Sequence, residues 1–260
     1  MVMKIEPAVV DLSRIRVSCD RCHLSSLCLP YSLSPSDIAE INKIVKHSHT
    51  LRRGDFLFRS GNEFSALYAI RSGSFKVFTY TNDGDEQILG FYFPGEIIGF
   101  DAINSNNHFS SALALEASSY CALPFTRLEE LSMSIPGLQH RVLQLMSREI
   151  SHENELVTML CNKNAEEKVG AFLITLSARF GLLGYSHTHF KLAMSRQDIG
   201  NYLGLSVETI SRILGRLQKD NIIAIYNKSV KLLDLDRLAG ISTRCNDMRI
   251  ADSCVTPCES

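Results

Sequence analysis

The sequence predicts an α+β chain made of a small antiparallel β-roll, a long helix and a winged helix-turn-helix. Three observations carry that prediction. Between Leu51 and Leu123 short apolar runs alternate with glycines, and beyond Gly137 a helical apolar pattern runs to Cys161 without glycine or proline. From Ser195 onward two capped amphipathic segments meet at Gly204. With 260 residues, 45% of them hydrophobic, the chain has material for about two cores. We place the divisions at 1–29, an N-terminal loop; 30–136, the roll; 137–161, the long helix; 162–236, the winged domain; and 237–260, a flexible tail.

The N-terminal loop is marked by its cysteines. The start, MVMKIEP, has no apolar core of a leader, and no stretch approaches the roughly 18 apolar residues that cross a bilayer, so we expect a cytoplasmic chain with no membrane partner. A reducing compartment gives clustered thiols a metal or redox reading before a disulfide one. Of eight cysteines, Cys19, Cys22 and Cys28 stand as C-x2-C-x5-C. That spacing turns several thiolates toward one centre, and structural zinc or an iron–sulfur cluster wants four. Cys121, in an apolar run, is either the fourth ligand or an ordinary buried thiol. We read His23 as a surface residue and Cys161 as a packing residue; Cys245, Cys254 and Cys258 fall in the tail.

In the roll, the runs at 55–58, 67–70, 75–80, 87–92, 97–98 and 111–115 read as strands, with Asn82-Asp83-Gly84 as a hairpin turn. In the long helix Leu143, Met146, Ile150, Glu153, Val157 and Leu160 follow the 3, 4, 3, 4, 3 spacing of a coiled-coil seam. Leu138, Val142, Leu145 and Leu156 form a neighbouring stripe for the roll. The seam pairs two chains, or the two stripes are one broad core face with Glu153 at its edge. If the helices pair in parallel, two Glu153 carboxylates approach and repel, which makes the dimer conditional.

A polar break at 162–168 precedes a helix at 169–180 and a loop rich in His and Gly. Net charge is −1 overall, but residues 191–240 hold 8 Lys and Arg against 5 Asp and Glu, while residues 1–190 hold 17 against 20. That asymmetry points nucleic acid to the C-terminal part. Ser195 with Asp198 is a capping-box pair, Gly204 supplies the turn, and Ser206 caps a second helix buried through Ile210, Ile213, Leu214 and Leu217. Its other face presents Val207, Glu208, Ser211 and Arg212. Arg212 suits guanine O6 and N7, Glu208 accepts from an exocyclic amino group, and Ser211 is short enough for a base edge or a thymine methyl. Arg216, Lys219 and the helix N-termini are available to phosphates. Residues 222–226 and 230–233 form the wing. No nucleophile triad, phosphate-binding glycine loop or carboxylate pair argues for an enzyme.

These segments resemble the FNR regulators, the oxygen-responsive branch of the CRP/FNR superfamily. The resemblance rests on VETISR at 207–212, DIGNYLGL at 198–205, GDEQ at 84–87, LYAIRSG at 67–73, GFDA at 99–102 and KNAEE at 163–167, and runs from about residue 19 to 238. It implies a cyclic-nucleotide-binding-like β-roll sensor and a homodimeric transcription factor that activates or represses genes of anaerobic metabolism. Cys19, Cys22, Cys28 and Cys121 match the family's [4Fe-4S] ligands. Glu208, Ser211 and Arg212 match its base-reading residues, which implies a TTGAT/ATCAA palindrome in double-stranded DNA. Glu153 stands where the family carries an acidic gatekeeper, usually aspartate, on a dimerisation helix that here offers Leu143, Met146, Ile150 and Val157. Gly84 and Asp85 match a surface that touches RNA polymerase. Arg21 and His23 depart from the small or acidic residues usual beside the second ligand, which bears on oxygen sensitivity. Cyclic-nucleotide receptors of the superfamily use an arginine for the phosphate, and residues 95–102 and 109–112 hold none, so no cyclic nucleotide is expected. The rival reading is a constitutive DNA-binding regulator with zinc on the same thiolates.

Overall fold

The computed structural model describes residues 18–242, which form two compact units divided between Ser147 and Arg148, inside the long helix. In the first unit a short 3-10 turn, Cys19–Arg21, precedes helix α1, Pro35–Ile44. Ser34 caps α1 by accepting from the Asp37 amide, and a proline opens it where no amide partner is needed. The roll is two four-stranded antiparallel sheets. One has the order β1-β8-β3-β6, from Lys46–Leu51, Ser118–Pro124, Ala66–Ser72 and Ile97–Ile98; the other has β2-β7-β4-β5, from Phe56–Phe58, Ser111–Ala114, Phe75–Tyr80 and Glu86–Tyr92. The predicted strands are present. β1 lies upstream of the predicted start, and two helices, α1 and α2 (Phe125–Ser134), lie within the span that the sequence assigns to the roll alone.

Those helices cover one sheet. Ile41 of α1, Leu128 of α2, and Leu138 and Leu145 of α3 (Pro136–Asn162) pack with Leu67, Ile97 and Leu123 in one buried cluster. A second cluster gathers Phe58, Ile70, Phe75 and Val77. The turn between β3 and β4 depends on Gly73, at φ +78°, a conformation open to glycine. A Cβ there would stand 2.2 Å from Ser118 Oγ and 2.7 Å from the Ala117 carbonyl. Gly73→Ala is therefore expected to cost about 2–4 kcal/mol from strain and overpacking. Urea unfolding of the variant should show a lower midpoint at an unchanged slope.

The second unit holds α4 (Ala165–Leu182), β9 (His189–Lys191), α5 (Arg196–Leu203), α6 (Val207–Lys219), β10 (Ile223–Tyr226), β11 (Ser229–Leu232) and α7 (Leu235–Ser242). Three expectations need correction. The break at 162–168 is shorter than expected, because Asn164 and Glu167 form a full capping box that starts α4 at Ala165. The loop after α4 ends in a strand, since β9 pairs with β11 and gives the wing a third strand. The tail does not begin at 237: α7 buries Leu238 and Ile241, with Ile241 and the Leu238 carbonyl lying against Gly170 of α4. Cys245, Cys254 and Cys258 lie outside the described residues. Among the described residues no helix is long and apolar enough to cross a membrane.

Candidate metal centre and nucleic-acid interface

The three N-terminal cysteines sit on a compact segment. Backbone bonds from Cys22 to the Cys19 carbonyl, and from Leu27 and Cys28 to the Leu24 carbonyl, fold it into successive tight turns, and Leu24 and Leu29 anchor it in the core. β8 brings Cys121 to the same place: it pairs with Ala69 of β3. Cys19, Cys22, Cys28 and Cys121 thus line one apolar cavity of about 40 Å³, with Ile41 and Val45 among its walls. Among the described residues no three His, Cys, Asp or Glu side chains converge on a single point as one metal ion requires. His23 is exposed, as expected, but Cys161 is exposed too, which corrects its reading as a packing residue.

Burial dominates the chemistry of these thiols. Desolvation, reinforced by the neighbouring Cys121 and Cys22, pushes Cys19 up to about 12, and desolvation likewise carries Cys28 to about 12. Even with Arg71 on the cavity wall, burial favours the neutral form of both thiols. Two residues that sequence reasoning missed bear on this. Arg71 lines the cavity and opposes the rise at Cys19. It is the extra residue of a β-bulge, because Ile70 pairs with Tyr120 and Ser72 with Ser119. Such bulges aim a side chain where regular alternation would not. Asn42 of α1 accepts the Cys19 amide through Oδ1 at 2.8 Å. Neither carries a spacing signal in the sequence.

α3 runs as one helix and presents the predicted seam to solvent. Leu143, Ile150 and Val157 are each 58% exposed, Glu153 is exposed and Met146 is half-buried. The roll-facing stripe is confirmed for Leu138 and Leu145, with Val142 packed beside them, while Leu156 is half-buried. The turn between β4 and β5 carries Gly84 at φ +86°, its amide donating to the Thr81 carbonyl at 3.0 Å, and Asp85 follows it, exposed.

The helix-turn-helix matches its sequence reading closely. Ser195 accepts the Asp198 amide and Asp198 in turn accepts the Ser195 amide, Gly204 takes φ +64°, and Ser206 accepts the Thr209 amide. Ile210, Ile213, Leu214 and Leu217 are buried, whereas Glu208 and Arg212 are exposed and Ser211 is half-buried. The Glu208 carboxyl is held below the usual range by hydrogen bonds from its own amide and from Ser206, so it stands ready as an ionised acceptor. Arg196 was missed by the sequence reading: its Nη1 donates to Ser211 Oγ at 3.1 Å, linking α5 to the exposed face of α6. Lys219 is exposed, and Arg216 donates to Glu166 Oε2 at 3.1 Å.

Residues 167–241 match the Crp-like helix-turn-helix domain, and residues 48–134 match the cyclic nucleotide-binding domain. The fumarate and nitrate reduction regulatory protein of Salmonella typhimurium is 44% identical over 226 residues, covering 87% of this chain and 90% of that protein. This chain belongs to the CRP/FNR family of transcription regulators. Its Vibrio cholerae relative of the same name is also 44% identical, over 229 residues that cover 87% of this chain and 92% of the relative. Among solved structures, FixK2 from Bradyrhizobium japonicum shares the CRP/FNR fold with a TM-score of 0.71 at 24% identity, covering 78% of this chain and all of that one. As a member of the CRP/FNR family the chain is a DNA-binding transcription regulator and not an enzyme.

Proposed function

We propose that this CRP/FNR regulator senses oxygen through a [4Fe-4S] cluster on Cys19, Cys22, Cys28 and Cys121, and reads a TTGAT/ATCAA palindrome as a homodimer. The observation that carries the reading is the cavity itself, where β8 brings Cys121 to the three thiols of the N-terminal segment. Four thiols are the donor set such a cluster takes, and the apolar walls are the setting in which the charge on Arg71 counts most. When bound, the cluster supplies an oxygen-labile cross-link between segment 19–28 and β8. A single zinc on the same four thiols is the alternative reading.

The chain's own residues do the rest. Leu143, Ile150 and Val157 offer an apolar seam to a second α3, while Glu153 on the same helix sets carboxylate repulsion against it. Two α6 helices then enter successive major grooves, with Arg212, Glu208 and Ser211 toward the bases. Gly84 and Asp85, on their exposed turn, contact RNA polymerase at activated promoters, and the regulator also represses. A cyclic nucleotide has no part in this reading. In the stretch compared with the nucleotide receptors Asp101 accepts from Ser110 N and Oγ, at 3.2 and 2.8 Å, and lies 3.0 Å from Nδ1 of a buried His108 that stacks on Phe58. Burial alone would raise Asp101, but the bonds from His108 and Ser110 hold its carboxyl below the usual range, so this stretch contributes an anion and no arginine.

Protein isolated without oxygen is expected to be brown, with broad visible absorption that air bleaches, and to shift a palindromic duplex before air exposure only. Colourless protein containing zinc, with the same gel shift in both conditions, would overturn the reading.

A further inference from the structure

The core-facing stripe of α3 is Leu138, Arg141 and Leu145. A guanidinium in the middle of an apolar stripe, on a residue only 4% exposed, is tolerated only if its donors find acceptors. Arg141 finds them on the backbone of the cysteine-bearing segment. Nη2 donates to the Leu27 carbonyl at 3.0 Å and to the Cys28 carbonyl at 3.2 Å, and Nε donates to Cys28 at 3.2 Å. Leu27 and Cys28 close the turn that starts at Leu24 by donating their amides to its carbonyl, and their own carbonyls point on to Arg141. The ring of Tyr31 lies 4.9 Å from the guanidinium carbon, and Gln144 Oε1 accepts from Nη1 at 3.3 Å.

The segment is held at both ends. Asn42 of α1 takes the amide of Cys19, and Arg141 of α3 takes the carbonyl of Cys28. The second grip belongs to the helix that carries the exposed seam: Leu143 stands two residues on, about 200° around the helix from Arg141.

We propose that Arg141 is the positioning residue through which segment 19–28 sets α3, and hence the pairing of two chains along Leu143, Ile150 and Val157. This rests on the metal-centre reading above and names the residue that carries its signal. The cavity ringed by the four thiols has room for a water or two, so a larger group is accommodated by movement of the segment against β8. Movement of Cys28 carries its carbonyl with it. A buried guanidinium that loses its acceptors is left desolvated, so α3 follows the segment or the bonds break. Lysine could reach one carbonyl as a point charge, whereas neutral glutamine would satisfy neither charge nor geometry.

The test is analytical ultracentrifugation of the unsubstituted chain, Arg141→Lys and Arg141→Gln, each loaded anaerobically with iron and sulfide and each stripped by chelator. Iron per chain is measured in the same samples. Loading should strengthen dimer association of the unsubstituted chain by about 5- to 150-fold, the usual range for coupled sites. At equal iron content Arg141→Gln should show no shift beyond about twofold, with Arg141→Lys between the two. A full shift in Arg141→Gln at equal iron overturns this proposal and leaves the metal reading intact. An unsubstituted chain that takes up no iron overturns the metal reading, and this proposal with it. Should Arg141→Gln not fold, amide hydrogen exchange of the unsubstituted chain decides: protection across 139–147 should differ between loaded and stripped protein, and equal protection overturns the coupling.

Discussion

Cys28→Ala is expected to lower the iron bound after anaerobic reconstitution by more than about tenfold, since even the loss of a residue that only supports a metal ligand costs 10- to 100-fold. Visible absorption and anaerobic binding to palindromic DNA should vanish with it. The stripped variant should still fold, because the core beneath the segment is made by Leu24, Leu29 and Ile41, none of which changes. Iron analysis and a urea melt on the same sample check both halves, and a variant that keeps its iron would remove Cys28 from the site. The thiols also set a pH dependence. Cys19 and Cys28 rise from an ordinary 9.0 to about 12 in the fold, so the metal-free chain prefers them neutral. Their contribution to stability is complete below about pH 9 and is lost as pH climbs toward 12. Metal loading runs the other way. Each thiol must surrender a proton to become a ligand, so acid opposes loading, and a chelator should strip the chain faster at pH 6 than at pH 8.

Arg212→Ala is expected to weaken binding to the palindrome by about 5- to 150-fold for each half-site, the worth of one good bidentate pair with guanine. Discrimination should relax at one guanine position in each half-site and persist elsewhere. Lys219→Ala supplies the contrast: taking a cation away from the phosphate backbone weakens all sequences alike and reduces the salt dependence. Fluorescence anisotropy with matched and singly substituted duplexes separates the two. Uniform weakening by Arg212→Ala would mean that the residue meets phosphate and reads no base.

Much of this was legible because it is written locally. The caps at Ser195 and Ser206, the glycine turn between them and the buried face of α6 are all patterns within a few residues, and each stands in the structure as read. The wing was legible for the same reason, but its third strand was not. His189–Lys191 is too short to show an alternation of its own and is a strand only because β11 lies beside it. α7 shows the same limit: its eight residues gain their place by burying Leu238 and Ile241 against α4, and so read by themselves as the start of a tail.

The candidate metal centre divides along the same line. The sequence by itself determined the thiol triplet, the order of roll, long helix and winged domain, and the side chains α6 offers to DNA, since spacing, periodicity and capping act over a turn or a strand. Only the tertiary structure decided that Cys121 shares a cavity with the triplet, that a bulge in β3 brings Arg71 to its wall, and that Arg141 is buried against the Cys28 carbonyl. Those partners are far apart along the chain, and what joins them is the register of β3 with β8 and the seating of α3 on the roll, which no local pattern encodes.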